Sequence, residues 1–351
     1  MKKYILCIAA TLIFFHPGSG ASGAAKDEDR VAKLVEGARK EGTLVYYSSM
    51  DITNVQQIVR AFQEKYPFIK VDIVRTGSEG ILTRVLAEAN AKKLKADVIQ
   101  SSTPHIHTYR TRNLMLKYLS PEAAAFPESA IDPDGYWVSF YDNVYAVAYN
   151  TKLVAPRDVP KSLEDLLLPR WKGKMALDSK DARWYGTIDQ VWGSKKTLDY
   201  MTKLARQDLV LRSGKTLIIQ LLGAGEFDLA ITAYLDTVAE FKTKGAAMDW
   251  TYLDPVLVSG HPIWIPVTTP HINSATLFVD FLLSEKGQEV ISALGKFPPR
   301  STANTERILA KYYPGLDKRP IPKKKYDMPP AVAERYAEYS NQFRSVFVKG
   351  K

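Results

Sequence analysis

Cysteine is nearly absent from this sequence of 351 residues. The sole cysteine, Cys7, lies in an apolar stretch close to the N-terminus, so the rest of the chain has no disulfide, no thiolate nucleophile and no cysteine ligand for a metal. The motifs Gly-x-Ser-x-Gly and His-Glu-x-x-His are also absent, which removes the local signatures of two large hydrolase classes. After the N-terminal stretch, no apolar run is long enough to span a membrane.

The N-terminus has the three parts of a secretory signal peptide. Lys2 and Lys3 form a positive region, residues 4–15 form an apolar region that is short for a membrane span, and small residues fill positions 18–25. We therefore predict a signal peptide over residues 1–25 and a mature protein that is exported to the periplasm.

The sequence has fewer acidic than basic residues: it contains 38 Asp and Glu and 48 Lys and Arg, and its formal charge is +10. The basic residues are scattered along the chain, and only Lys323–Lys325 form a run. Since no basic face is interleaved with aromatic residues, the sequence predicts no nucleic-acid partner. A basic balance of this kind is compatible with an anionic ligand.

The stretch from Gly42 to Tyr66 shows how the chain is organised. Residues 44–47 form a short uncharged apolar run, as a strand buried on both faces would. Residues 48–51 then lie between the end of this strand and the start of a helix, where open α/β sheets bind small molecules and backbone N–H groups favour anions. The helix packs one apolar stripe onto the strand, and this stripe comprises Val55, Ile58, Val59, Phe62 and Tyr66.

The alternation of strands and helices predicts two lobes. The order β-α-β-α-β runs from residue 44 to residue 100 and again from residue 174 to residue 232, and each run implies a parallel sheet with right-handed crossovers. Two long extended stretches, 136–149 and 255–270, can cross between the lobes. We predict an α/β fold with two Rossmann-like lobes around a hinged cleft. Lobe 1 comprises residues 26–142 and about 260–300, lobe 2 comprises residues 143–259, and a C-terminal helical segment, 301–351, packs on the lobes.

Polar and aromatic side chains follow the predicted strand ends of both lobes, and these are the candidate ligand contacts. Hydroxyl groups near helix starts suit an anion, and an arginine beside aromatic rings suits bidentate anion binding. The serines and the aspartate at position 51 have the alternative role of helix caps. The candidates are Ser48, Ser49, Asp51, Gly77, Ser78, Ser102, Asp142, Arg183, Trp184, Tyr185, Ser213 and Tyr234. Residues 212–216 contain Gly-Lys-Thr but lack the first glycine of a nucleotide-binding loop, so a Walker motif is excluded.

A second hypothesis is an exported hydrolase or metalloenzyme that uses His105 and His107. Such an enzyme needs a nucleophile, a base and an orienting group, or three ligands for a metal. Residues two apart on a helix do not share a face, so the spacing of these histidines disfavours joint ligation of one metal ion. We therefore expect no catalysis and no cofactor.

Several short motifs occur in order between about residue 41 and residue 300, namely Tyr47-Ser48-Ser49, Gly77-Ser78-Glu79-Gly80, Ala96-Asp97-Val98, Tyr149-Asn150-Thr151, Gly223-Ala224-Gly225-Glu226, Pro270-His271 and Gly287-Gln288. By these motifs the sequence resembles the periplasmic solute-binding proteins of ABC importers, specifically the family-1, ferric-iron-type extracellular group. The resemblance implies a type II periplasmic-binding-protein fold, one small ligand between two lobes, no catalysis, and an inner-membrane ABC permease as partner. We expect a monomer.

One position departs from the ferric pattern of this group. Iron-binding members have two adjacent tyrosines after the strand that matches residues 227–232, whereas this sequence has Ala233 and Tyr234. Ferric iron prefers several anionic oxygens, so the loss of one phenolate weighs against iron. The resemblance leaves two ligand classes open: ferric iron or a ferric complex, for which Tyr234 is the metal ligand, and an anion such as a phosphonate or a phosphate ester.

Overall fold

The computed structural model describes residues 20–313, 316, 321–322, 326–327 and 334–348. Residues 1–19 of the predicted signal peptide and the basic run Lys323–Lys325 lie outside this part of the chain. Among the described residues, no helix combines the length and the apolar character that crossing a membrane requires.

The described residues alternate between strands and helices along most of the chain. The strands are β1 (Thr43–Ser48), β2 (Lys70–Arg75), β3 (Val98–Gln100), β4 (Val138–Asn150), β5 (Met175–Asp178), β6 (Val210–Arg212), β7 (Leu229–Tyr234), β8 (Met248–Thr251) and β9 (Val258–Trp264). The α-helices are α1 (Gly20–Glu41), α2 (Ile52–Lys65), α3 (Ser78–Asn90), α4 (Ile106–Thr111), α5 (Ala182–Trp192), α6 (Ser194–Ala205), α7 (Lys215–Ala224), α8 (Leu235–Thr243), α9 (Ile272–Leu283), α10 (Glu285–Ala293), α11 (Ala303–Tyr312) and α12 (Tyr336–Phe347).

These strands form one mixed sheet with the order β2-β1-β3-β9-β4-β7-β5-β6, and β8 pairs with β4. β1 runs parallel to β2 and β3, and β5 runs parallel to β6 and β7. We call these two groups of strands, with the helices that connect them, the first half and the second half. Antiparallel pairing of β9 with β3 and of β4 with β7 and β9 joins the halves. The predicted α/β fold, with two parallel units joined by crossing strands, is therefore confirmed.

The first half is held together by the apolar stripe that the sequence predicts on α2. Asp51 caps this helix by accepting the Thr53 N–H (2.9 Å), and the helix ends before Pro67. The ring of Phe62 lies 4.9 Å from the ring of Phe278 on α9, which in turn lies 4.9 Å from the ring of Tyr46 on β1. Helices α2 and α9 therefore cover this face of the sheet together.

The crossing strand β4 forms a continuous buried connection from one half to the other. Its 13 residues pair with β9 along one part and with β7 and β8 along the other, and all except Asp142 are buried. Pairing is irregular between Ser139 and Asp142 and again between Ala146 and Ala148, and such irregularities bend a strand. Both halves are joined through β4 and β9, which we call the floor strands.

The end of the described chain packs on the second half. Phe297 stacks on Tyr313 with ring centroids 5.0 Å apart, within the core that contains β7 and β8. On the other face of the second half, α12 packs against α5, where the Tyr339 hydroxyl donates to the Asp189 carboxylate (2.9 Å). Within the described residues, the last helix of the predicted C-terminal helical segment is Tyr336–Phe347.

Two elements are not indicated by the sequence pattern: α5 and β8. The first eight residues of α5 are all buried, so the polar and apolar alternation that signals a surface helix is missing. β8 has only four residues. The missed elements are therefore short or uniformly buried.

We predict that Phe278→Ala lowers the free energy of unfolding by about 3–5 kcal/mol, because it leaves a cavity between α2, α9 and β1. Urea denaturation followed by circular dichroism measures the loss. The matched control is Leu198→Ala on α6, where the leucine is 49% exposed and the expected change is within about 0.5 kcal/mol. Equal losses for the two variants would contradict the role of Phe278.

Candidate ligand-binding site

A cavity of about 470 Å³ opens between the two halves, at the carboxyl ends of their parallel strands. Its volume is typical of a site for a small molecule. The wall from the first half consists of Ser49, Met50, Ser78, Glu79, Ser102, Pro104 and His105. The wall from the second half consists of Asp178, Lys180, Asp181, Arg183, Lys215 and Tyr234. The floor strands contribute Tyr141, Asn143, Tyr145, Ser259 and His261, and Lys296 and Tyr336 complete the lining.

Five of the residues that the sequence predicts as ligand contacts lie on this lining: Ser49, Ser78, Ser102, Arg183 and Tyr234. They belong to both halves, and each lies at the end of a parallel strand or shortly after it. The fold therefore brings these five side chains together for the reason that the sequence analysis gives, because the carboxyl ends of parallel strands meet at one edge of a sheet.

Four predicted residues near the first half are not on the cavity wall. Ser48 is fully buried, and its hydroxyl donates to the Gln100 amide oxygen (2.7 Å). Asp51 and Gly77 occupy the positions that precede α2 and α3. Asp142 lies in the floor strand, where its backbone N–H donates to the Phe297 carbonyl (2.8 Å). These four residues therefore lie next to the cavity lining but are not part of it.

Three predicted residues of the second half also point elsewhere. Trp184 and Tyr185 follow Arg183 on α5, and successive side chains on a helix are turned by about 100°. When Arg183 faces the cavity, its two neighbours therefore face the hydrophobic core, where both are buried. Ser213 is exposed in the loop before α7.

Lys215 is the most heavily contacted cation of the cavity. Its ammonium pairs with the Asp181 carboxylate and donates to the Thr232 carbonyl oxygen (2.9 Å). Its Nζ atom lies 4.8 Å from the ring centroids of both Tyr145 and Tyr234. Burial by itself would lower the pKa of this ammonium, but the negative charges beside it, chiefly that of Asp181, raise its pKa above the usual range. Lys215 therefore stays protonated.

Arg183 connects the second half to the floor and to the C-terminal segment. Its guanidinium donates to the Ser259 hydroxyl, and one nitrogen lies 3.9 Å from the Asp327 carboxylate. Burial acts to lower the pKa of this guanidinium, but the charge of Asp327 and the nearby tyrosines together outweigh it and the pKa is raised. Asp327 also accepts the Gly260 N–H (2.9 Å) and the Thr103 hydroxyl (3.1 Å). A carboxylate late in the chain thus contacts both halves and the floor.

Lys296 forms a third ion pair at the cavity, and this one joins the two halves. Lys296 follows α10, which packs in the core of the first half, and its ammonium pairs with the carboxylate of Asp236 at the start of α8. The ammonium also lies 3.5 Å from the Asn143 amide oxygen. Both side chains of the pair are at least 85% buried, since their exposed fractions are 15% and 10%.

The floor of the cavity contains a buried histidine. The ring of His261 stacks on the ring of Tyr141, with centroids 4.2 Å apart and an angle of 6° between the planes. Its Nδ1 atom lies 3.0 Å from the amide nitrogen of Gln100, whose oxygen is fixed by hydrogen bonds from the Ser48 hydroxyl and the Ser49 N–H. Burial, followed by the charges of Arg183 and Lys296, holds the pKa of His261 well below its ordinary value of 6.5, so this ring is neutral.

Three helices begin at the cavity without a side-chain cap. The residues before α3, α7 and α8 are Gly77, Gly214 and Tyr234, and none of them accepts a hydrogen bond from its helix. The first N–H groups of a helix have no partner within the helix, and its dipole is positive at that end. Within the described residues, the cavity therefore has three helix N-termini without a side-chain cap, in addition to its three buried cations.

His105 and His107 contact different carboxylates. His105 lines the cavity, and its Nε2 atom lies 3.0 Å from Glu79, whose pKa it lowers. His107 lies 3.2 Å from Glu334 and is not part of the lining. In the part of the chain that the structure describes, no group of three His, Cys, Asp or Glu side chains is arranged to hold a metal ion.

Several lining residues are missed by sequence reasoning. Asp178 and Asp181 directly follow a predicted strand, so their position alone could have marked them, and Lys215 lies in a Gly-Lys-Thr sequence that was excluded as a nucleotide loop. His261 and Lys296 carry no local signal, because only the pairing of β9 with β4 and the packing of α10 bring them to the cavity.

Comparison with known proteins assigns this chain to one family. A family profile described as bacterial extracellular solute-binding protein matches residues 57–313. An uncharacterised protein of Haemophilus influenzae is 28% identical over 275 residues, which are 72% of this chain and 76% of that protein. The Fe(3+)-binding periplasmic protein of Serratia marcescens is 21% identical over 275 residues, which are 75% of this chain and 80% of that protein.

A solved structure shows the same fold. The periplasmic binding protein AfuA from Actinobacillus pleuropneumoniae, with exogenous fructose-6-phosphate bound, superposes with a TM-score of 0.70 and 22% identity, and the match covers 87% of this chain and 98% of that one. The fold is therefore the type II periplasmic-binding-protein fold, as predicted.

The neutral state of His261 predicts a pH dependence of stability. Below pH 6.5 the unfolded chain takes up a proton at this imidazole and the folded protein does not, so the free energy of unfolding falls as pH decreases, by at most about 1.4 kcal/mol per pH unit. His261→Gln removes this proton site. Denaturant unfolding from pH 7.5 to pH 5 should therefore show the stability difference moving in favour of the variant below pH 6.5. Above pH 7 the two curves should run parallel, and parallel curves over the whole range would contradict the prediction.

Proposed function

Because the chain belongs to the bacterial extracellular solute-binding proteins, we propose that it is the periplasmic binding component of an ABC importer and that its ligand is a small phosphate-like anion. It captures this anion between the two halves and delivers it to an inner-membrane permease. It acts as a carrier and performs no catalysis. Export through the predicted signal peptide, residues 1–25, places it in the periplasm.

The observation that carries this proposal is the set of three buried cations around one cavity. Arg183, Lys215 and Lys296 have side-chain exposures of 8%, 12% and 15%, and they approach the cavity from the second half and from the segment after α10. Charge-assisted hydrogen bonds from such groups are among the strongest that a protein offers to an anion. The uncapped starts of α3, α7 and α8 add N–H donors from both halves.

The same cations weigh against a bare ferric ion. Lys215 Nζ lies 4.8 Å from the ring of Tyr234, which is the sequence-predicted ferric ligand, and a cation at that distance repels Fe³⁺. Burial also raises the pKa of the neighbouring Tyr145 and Tyr141 hydroxyls well above the usual range, so they are poor sources of a phenolate.

The cavity is lined by groups from both halves, and this supports capture by hinge closure. We propose that lobe 1 (residues 26–142 and about 260–300) and lobe 2 (residues 143–259) rotate about the floor strands β4 and β9. A ligand that contacts Ser49 and Ser78 on one wall and Arg183 and Lys215 on the other binds the closed form better than the open form. It therefore shifts the population towards the closed form.

The proposal predicts that inorganic phosphate, phosphonates or phosphate esters raise the melting temperature of refolded, ligand-free protein. The double variant Asp181→Asn/Lys215→Met removes the ion pair without leaving an unpaired buried charge, and Asn at position 181 still caps α5. We expect the best anion to bind this variant about 10–150-fold more weakly, since a hydrogen bond to a charged group contributes about 1.5–3 kcal/mol. Calorimetric titration measures the change.

The matched control is Asp199→Asn/Lys203→Met, which removes an exposed ion pair of α6 with a separation of 2.8 Å. This variant should bind as the wild type does. If no anion of these classes stabilises the wild type, or if both double variants bind equally well, the proposal is wrong.

Ferric citrate provides the test of the other ligand class. We expect no visible tyrosinate absorption when ferric citrate is added to the wild-type protein. A tyrosinate band that appears with iron and is lost in Tyr234→Phe would identify a ferric ligand and overturn the anion proposal.

A further inference from the structure

Asp178 has fewer hydrogen-bond partners than the other carboxylates around the cavity. It ends β5, its residue is 8% exposed, and it lies on the cavity wall. Its Oδ1 atom accepts the backbone N–H of Lys180 (3.1 Å). Among the described residues, no donor hydrogen-bonds to Oδ2 and no cation forms an ion pair with this side chain. Oδ2 is not among the buried side-chain atoms that lack a partner, so it is accessible from the cavity, where a donor group of a ligand can bind it.

The other acidic side chains are already engaged. Asp181 pairs with Lys215 and also accepts the Tyr145 hydroxyl (3.0 Å). Asp236 pairs with Lys296. Glu79 bonds to His105, and its side chain is 76% exposed. Asp178 is therefore the acidic side chain of the second wall that remains open to a ligand.

The open carboxylate lies beside the cations that suit an anion. Its negative charge is close enough to Lys215 to contribute to the raised pKa of that ammonium. A ligand that carries only negative charge would meet repulsion from Asp178 while it binds Lys215 and Arg183. A ligand that also carries a donor group would satisfy Oδ2 and bind the cations at the same time.

We propose that Asp178 is a specificity-determining residue, and that the ligand is a small organic phosphate or phosphonate that also carries a hydroxyl or ammonium group, which donates to the Asp178 carboxylate. This inference rests on the proposed anion-binding function. The cavity volume of about 470 Å³ has room for such a molecule beyond its anionic group.

Three isosteric probes test the inference: propylphosphonate, 2-hydroxyethylphosphonate and 2-aminoethylphosphonate, titrated calorimetrically into refolded, ligand-free protein. The wild type should bind at least one of the donor-bearing probes about tenfold or more tightly than propylphosphonate. In Asp178→Ala this preference should fall to less than about threefold, while the affinity for propylphosphonate stays the same or increases because a repelling charge is gone.

Asp178→Asn distinguishes the two donors and is also the variant expected to fold most readily. The Asn side chain keeps an oxygen that accepts the Lys180 N–H and puts an NH2 group in place of Oδ2, which can donate to a ligand hydroxyl but not to an ammonium group, and it removes the charge. If the ligand donor is an ammonium group, this variant should lose about tenfold or more in affinity for 2-aminoethylphosphonate. If the donor is a hydroxyl group, 2-hydroxyethylphosphonate should lose less in Asp178→Asn than in Asp178→Ala.

The outcomes separate this inference from the proposed function. Equal binding of all three probes by the wild type, or an unchanged preference in Asp178→Ala, overturns the role of Asp178 and leaves the anion-binding function in place. If neither the probes nor inorganic phosphate bind, the proposed function fails and this inference fails with it. Asp199→Asn, a carboxylate that is 65% exposed on α6, is the charge-matched control and should keep the wild-type preference.

Discussion

The rest of this structure depends on one constraint, which is that each buried positive charge needs a counter-charge. Removing an ammonium or guanidinium group from water costs several kcal/mol unless a counter-charge and hydrogen bonds replace the solvent. The chain meets this requirement around one cavity by giving Lys215 the carboxylate of Asp181 and Lys296 the carboxylate of Asp236. Each pair joins two different elements, so the charges also fix where α5 starts relative to α7 and where α8 lies relative to the segment after α10.

The floor strands provide the surface on which those charges act. β4 and β9 are buried along almost their whole length, and they present the stacked rings of Tyr141 and His261 beneath the cavity. A neutral ring pair adds no competing charge, and it keeps water away from one side of the cations. Electrostatic attraction is stronger in such a poorly solvated setting than in water. The aromatic floor therefore strengthens the electrostatic interactions of the charged side chains on the walls.

The sequence alone predicts the architecture well because the architecture rests on local patterns. The strand over residues 44–47 and the stripe that includes Phe62 depend on residues close together in the chain, and so do the positions of Ser49 and Ser78 after strand ends. The sequence predicts Arg183 as a ligand contact but predicts Trp184 and Tyr185 together with it, since a helix without an exposed face gives no periodic signal. Lys296 and His261 could not be predicted, because their place in the cavity depends on the long-range pairing and packing of β9 and α10.

The position of Asp327 has a consequence for the order of events during synthesis. Its carboxylate contacts Thr103 from the first half, Gly260 in the floor and Arg183 from the second half. A ribosome releases the early part of a chain first, and these three partners are made long before residue 327 emerges. The contacts between Asp327 and the two halves can therefore form only after both walls of the cavity have been made. A nascent chain that is stalled shortly before this residue contains both walls and the floor strands that join them, but it lacks the additional contacts of this carboxylate.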